Sequence, residues 1–381
     1  MHDFIVVGAG IAGVSVAYEL QQHGSVALLE REALPGQHTT GRSAAFLVDS
    51  YAGPVVGKLT RAGRAFFERP PEGFTDVPLV TPNAVLWIGR EDQRASLDNV
   101  FTKGREAGAE LSEISVAEAL AICPVLREDY VAYAVAEPSA MHIDVAALLD
   151  AFLAGFRRRG GVVSTKAEVT RIERRGDTWE VEAGGQTFRA PIVVNAAGAW
   201  CDSIGRLAGA RPIGLRPLRR TAITFDGPPH TDIRSWPLVI DADEDFYFKP
   251  EGALLLASPC DETPSEPCDA HAEDDEVALA VDHVQRATSL EISHIRNRWA
   301  GLRSFVADRS IVIGMDPERA GFFWLAGQGG FGIMTSPAAA RAAAALIVNG
   351  SLPEDLVAIG LTPAMLSPER LREHGRCGGV F

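Results

Sequence analysis

The distribution of apolar and polar positions outlines the chain before any single residue is weighed. Asp3–Val7 is a short apolar run of buried-strand length. Gly8–Gly13 follows, then a helix over about Ala12–His23 that Gly24 ends, then a second apolar strand, Val26–Glu30. Strand, glycine loop, helix and strand in that order open a parallel sheet. The polar, glycine-rich Glu32–Ser43 reads as a loop. Val55–Phe67 and Glu91–Ala107 read as helices, Ala84–Ile88 as a strand, and Val145–Arg159 as a helix with Asp144 as its N-cap. Val162–Arg189 alternates as several strands joined by a turn near Arg175–Asp177. Pro191–Asn195 is another buried strand, running into Ala196–Trp200. Leu215–Phe225 and Phe246–Ala257 read as strands of a more open sheet, and Ser258–Asp282, rich in proline and acids, as a surface loop leading into a helix. Phe322–Ala326 is a last buried strand, which meets the glycine loop Gly327–Gly332 and an alanine-rich helix over about Ser336–Val348. The nucleotide-binding elements therefore lie at both ends and in the middle, and the segments between them build a second domain.

Composition narrows the class. With 46% hydrophobic and 23% charged residues in 381, the chain is an ordinary globular protein and needs no disulfide or metal staple. A net charge of −14 excludes a general nucleic-acid binder, because phosphate binding needs clustered positive charge. Five cysteines, Cys123, Cys201, Cys260, Cys268 and Cys377, form no CxxC pair, so neither a disulfide framework nor a metal site is expected. No apolar run is long enough to span a membrane. The first one leads straight into the glycine motif, which leaves no room for a signal peptide and makes a cytoplasmic protein the expectation.

The glycine motif carries the first chemistry. In Gly8-Ala9-Gly10-Ile11-Ala12-Gly13 one glycine makes the strand-to-helix turn, the next admits a pyrophosphate, and the third lets helix and strand pack closely. The helix start offers free N–H groups to the phosphates. Glu30, 17 residues after Gly13, ends the second strand, where a carboxylate accepts from both ribose hydroxyls of an adenosine. NAD and FAD both fit this unit. Three later segments favour FAD: the small and hydroxyl residues of Gly36–Ala45, the strand-to-turn run Val193–Trp200, and Gly327–Gly332 before a helix whose start can stabilise negative charge on a reduced flavin.

These blocks, together with Trp299-Ala300-Gly301-Leu302-Arg303-Ser304-Phe305-Val306-Ala307-Asp308, resemble the D-amino-acid oxidase superfamily of flavoproteins over essentially the whole chain. The nearest likeness is to the D-arginine and other D-amino-acid dehydrogenases. The resemblance implies a mixed α/β fold: a Rossmann-like FAD-binding domain of glutathione-reductase type (residues 1–78, 140–212 and 308–381) and an interleaved antiparallel-sheet substrate domain (79–139 and 213–307). It implies a non-covalent FAD. Gly8, Ala9, Gly10, Ile11, Ala12, Gly13, Glu30 and Arg31 would hold the ADP half, and Val169 would touch the adenine. Thr40, Gly41, Arg42, Ser43, Ala44 and Ala45 would line the path to the isoalloxazine. Ala197, Gly198 and Trp200 belong to the same set, and Gly301, Gly329, Gly330, Phe331, Gly332 and Ile333 would lie against the ring.

The same resemblance implies oxidative deamination of a D-amino acid. The α-hydride passes to flavin N5, and the imino acid left behind is hydrolysed to a 2-oxo acid and ammonia. A substrate carboxylate needs a fixed cation, and the planar fork of Arg303 suits it. Arg220 and Tyr247 match carboxylate-side positions, Tyr51 matches a lid tyrosine, and Gly330 lies beside the reacting centre. Phe46 and Asn83 replace a histidine and an acid of the related dehydrogenase, so a neutral or hydrophobic side chain is expected instead of a cationic one. His38 and His142 read as structural, Cys201 as a packed small residue, and Glu273–Glu276 as a solvated helix start. The second reading is a glycine- or sarcosine-type secondary-amine oxidase; the third is a flavin-binding redox sensor without turnover. The expected partner is a small amino acid, with quinone, dye and O2 all open as electron acceptor. A monomer or weak oligomer is expected.

Overall fold

Apolar residues that alternate between two buried faces decide the central sheet. In the computed structural model, which describes residues 1–51 and 53–374 (the last two without their side chains), the strands Val162–Ser164, Val26–Leu29, Phe4–Val7, Ile192–Asn195 and Phe322–Ala326 lie side by side in that order, all parallel; Val312–Met315 adds an antiparallel edge. Cys377 and the end of the expected 308–381 segment lie outside the described residues. Val6 and Leu28 face a core shared with the helices Ile11–Leu20, Val145–Arg158 and Gly332–Asn349. Ile5, Val7, Ala27 and Leu29 face the opposite core, closed by Trp179 and Val181 of a three-stranded antiparallel sheet, Val169–Arg175, Thr178–Ala183 and Gln186–Ala190. A sheet covered on both sides needs the continuous apolar strands seen here.

A second, nine-stranded sheet takes its strands from residues 85–137 and 216–305. Its long members, Arg216–Asp226 and Ile295–Phe305, pair antiparallel from Arg216↔Phe305 onward, and the helix Asp274–Ala287 packs Ala280, Val284 and Ala287 behind it. The sheet is not wholly antiparallel as expected. Val85–Gly89 and Leu238–Asp241 run parallel, an arrangement open to strands joined by a long connection instead of a hairpin.

Two local differences have clear causes. The last long helix starts at Gly332, ahead of the alanine run, and continues through Pro337. Proline cannot donate to the carbonyl of Ile333, but the Ser336 hydroxyl does so at 2.8 Å, which keeps the turn satisfied. The acidic start Glu273–Glu276 does begin a helix, but it is not simply solvated: Glu273 and Glu276 both pair with Arg219. No described helix is long and apolar enough to cross a membrane.

Candidate active site

One cavity of about 630 Å³ runs from the first glycine turn to the nine-stranded sheet. At its nucleotide end Gly8 adopts φ +97°, and a Cβ there would lie 2.6 Å from the Ala196 carbonyl oxygen. A Cβ on Gly13 would fall 1.8 Å from the Gly8 oxygen, so helix and strand meet only because it is absent. The buried Glu30 carboxylate accepts from the Ala9 N–H (2.8 Å) and the Glu32 N–H (2.9 Å), which fixes its remaining lone pairs toward the cavity wall. Thr40 Oγ1 accepts from the Ile11 N–H at 3.0 Å and ties the 39–43 loop to the helix start. Arg31 stacks over the Trp200 ring at 4.7 Å and pairs with Glu32.

Most residues singled out in the sequence line this cavity; four lie outside its lining. Ala9 gives its N–H to Glu30 and its carbonyl oxygen to the Gly36 N–H, Gly13 is a packing position, and Gly41 turns against the Gly36 oxygen, which a Cβ would approach to 2.7 Å. Phe331 packs its ring on Tyr51 and Phe305 behind the wall. Arg42 lines the cavity, with its guanidinium bound to the carbonyls of Ala270 (2.8 Å) and Ala300 (2.9 Å) and paired with Asp269.

The other end of the cavity is built on the nine-stranded sheet. Arg303, from the strand Ile295–Phe305, donates from Nη1 to the Tyr51 hydroxyl oxygen (3.3 Å), and no described carboxylate pairs with it. Gly330 makes room for it: a Cβ there would sit 2.8 Å from the guanidinium carbon. The Tyr51 hydroxyl in turn donates to Glu244 at 3.1 Å. Burial pushes the Tyr51 phenol up to about 12 and raises Tyr247 as well, so both stay neutral donors. Neighbouring positions on a strand face opposite ways, which separates the two adjacent arginines. Arg219 goes to Glu273 and Glu276, whereas Arg220, 8% exposed, lines the cavity with one nitrogen on Glu262 (3.3 Å) and with Nε and Nη1 lacking partners among the described residues.

Phe46, Val48, Leu238 and Ile240 form an apolar wall. Asn83 is not part of the lining; its backbone N–H donates to Ala140. His142 meets Phe46 edge-on, its pKa lowered by burial, and His38 is held by Glu32 beside Trp200. Sequence reasoning missed Glu244 and Cys260, both at the cavity wall. Glu244 belongs to an acidic turn that looks like solvent-facing surface, and Cys260 follows a strand in a loop; both take positive φ, which no residue pattern announces. Burial raises the Cys260 thiol to about 11, so it is protonated at neutral pH.

Residues 3–346 match the protein family described as FAD dependent oxidoreductase. The chain belongs to that family. The FAD-dependent oxidoreductase domain-containing protein 1 of Bos taurus is 25% identical over 430 residues, covering 98% of this chain and 86% of that protein. The mitochondrial sarcosine dehydrogenase of Mus musculus is 26% identical over 93% of this chain, which spans only 40% of that longer protein. Among solved structures, the L-proline dehydrogenase from P. horikoshii superposes with a TM-score of 0.85 at 20% identity, covering 98% of both chains. These relatives support the broad family and not a particular tie to D-arginine dehydrogenases. FAD is the cofactor of this oxidoreductase, and the cavity suits it: a helix start and a buried acid at one end, small residues along its length, and a glycine loop at the other.

Proposed function

We propose that this flavoprotein oxidises a carbon–nitrogen bond of a small amino acid carrying a secondary amine, of the N-methyl or cyclic imino type. The observation that carries the reading is Arg303, a cation inside the cavity with no carboxylate partner among the described residues and a glycine opposite it. A charge in that setting calls for an anionic ligand. In this reading its fork takes the substrate carboxylate, with the neutral phenols of Tyr51 and Tyr247 and the unpartnered N–H groups of Arg220 completing the grip. Glu244, beyond the Tyr51 hydroxyl, supplies the opposite charge, so a zwitterion finds a cation for one end and an anion for the other. Gly301, Gly329, Gly330, Gly332 and Ile333 are the residues we assign to the flavin face, and Glu30, Gly8, Gly10, Ile11 and Ala12 to its ADP half.

FAD bound there supplies a hydride acceptor. The chain's own part is to hold the carboxylate, fix the carbon bearing the hydride, and shield it. His142 packs against the Phe46 ring outside the cavity lining, and His38, which does line the cavity, is held on Glu32 beside Trp200; we assign neither the role of base. The choice of a secondary amine rests on the sarcosine dehydrogenase and L-proline dehydrogenase likenesses. The apolar wall of Phe46, Val48, Leu238 and Ile240 favours a second reading, a neutral D-amino acid. Mixing the yellow holoprotein anaerobically with sarcosine, L-proline, D-leucine and D-arginine separates them. Rapid bleaching by sarcosine or proline supports the first reading; bleaching by D-leucine alone refutes it. Admitting air afterwards tells whether O2 accepts the electrons.

A further inference from the structure

We infer that Glu137 is a positioning residue for substrate binding: its buried carboxylate pins the loop that carries Tyr51 over Arg303. The inference rests on the carboxylate-binding reading of Arg303 given above. Glu137 ends the strand Tyr133–Glu137 and is fully buried. One carboxylate oxygen accepts the Asp49 N–H at 2.7 Å, and the other accepts the Ser50 hydroxyl. Ser50 Oγ also accepts the Trp87 indole N–H at 3.3 Å. Among the described residues no cation pairs with Glu137, and burial raises its pKa. A carboxylate so placed is tolerable only while its donors stay in position. Both donors come from consecutive residues of one loop, so the group and the loop fix each other.

The far side of the same loop is tied to the same turn. Asp49 pairs with Arg64 at 2.5 Å, and Arg64 donates again to the Ser139 carbonyl at 3.1 Å, two residues beyond Glu137. Tyr51 follows directly, its hydroxyl between Arg303 and Glu244 and its ring near Trp87 and Phe331. The loop is therefore held at its base by Glu137 and touches the binding cation at its tip.

The test uses the holoprotein and benzoate as a carboxylate probe, read by its perturbation of the flavin absorption band. Glu137→Gln keeps the shape but turns one acceptor into a donor. We expect it to weaken benzoate binding roughly tenfold in the wild-type background and less than about twofold in Tyr51→Phe, because coupled neighbours fail to add. Ser50→Ala removes one of the two anchors and serves as the parallel variant if Glu137→Gln does not fold. Flavin content and melting temperature are recorded throughout. Equal weakening in both backgrounds shows a merely structural role and overturns the inference. Unchanged binding in folded Glu137→Gln or Ser50→Ala protein also overturns it. Wild-type protein that binds no benzoate overturns the carboxylate reading itself, and this inference with it.

Discussion

Replacing Gly330 by alanine tests how closely the glycine loop and Arg303 are fitted. The added Cβ would lie 2.8 Å from the guanidinium carbon and 2.9 Å from Nε and Nη1, whereas ordinary contact begins at 3.4 Å. The guanidinium must therefore retreat by about 0.6 Å. It lies at the end of a flexible side chain, so the fold itself should absorb the change with little loss of stability. A charge-assisted bond of about 2.8 Å would lengthen to about 3.4 Å, beyond useful hydrogen-bond range. Losing one such bond to a charged group costs roughly 1.5–3 kcal/mol, which corresponds to about a 10- to 100-fold fall in kcat/KM. The assay is anaerobic flavin reduction by the best amine substrate in a stopped-flow instrument, with flavin content and thermal melting as controls. The expected pattern is normal flavin content, a near-normal melting temperature and a rise in the apparent substrate Kd. Gly330→Ala with wild-type affinity would refute the claim that Arg303 grips the substrate from this position.

Other outcomes follow from the same geometry. Glu30→Gln places an amide where both carboxylate oxygens now accept backbone N–H groups, so FAD affinity should fall roughly 10- to 100-fold, measured by fluorescence titration of apoprotein. Because burial raises Tyr51 to about 12, carboxylate binding should stay flat between about pH 6 and 10; a titration inside that window would show that another group controls the site. Lys249 is fully buried against Glu251, and burial lowers its pKa. Its unfolded form binds a proton more readily than its folded form, so the destabilisation is present at neutral pH and fades as pH rises toward the unfolded value of about 10.4. Lys249→Met should therefore leave stability at pH 7 unchanged or raise it by about 1 kcal/mol or more, with the advantage shrinking in alkali, as denaturant melts would show.

What the sequence disclosed and what it hid divide along physical lines. The turn at Gly8–Gly13 and the acid at Glu30 were legible because strand, loop, helix and acid follow one another within a single local unit. Arg303 and Tyr51 were legible through the resemblance of their surrounding blocks, and the fold brings both to one cavity although 252 residues separate them. Glu244 was hidden because its role depends on a turn folding back to meet Tyr51, a contact between distant segments. Glu137 was hidden for a related reason: a glutamate in a strand looks solvent-facing until its partners at 49 and 50 are known. Arg42 was legible as a residue of the cavity loop, but its acceptors were not, because they are carbonyls more than 200 residues away.

The divergence of Arg219 and Arg220 makes the enzyme sensitive to chain length at one place. Arg219 clasps the helix behind the sheet while Arg220, one residue on, looks into the cavity. Deleting a single residue from 211–215 and letting the strand slide to compensate would exchange the two sides. The cavity would then receive the neighbouring side chains, and the helix at Asp274–Ala287 would lose its arginine clasp. Homologous chains that vary in length just ahead of this strand should therefore vary by loops that preserve its phase.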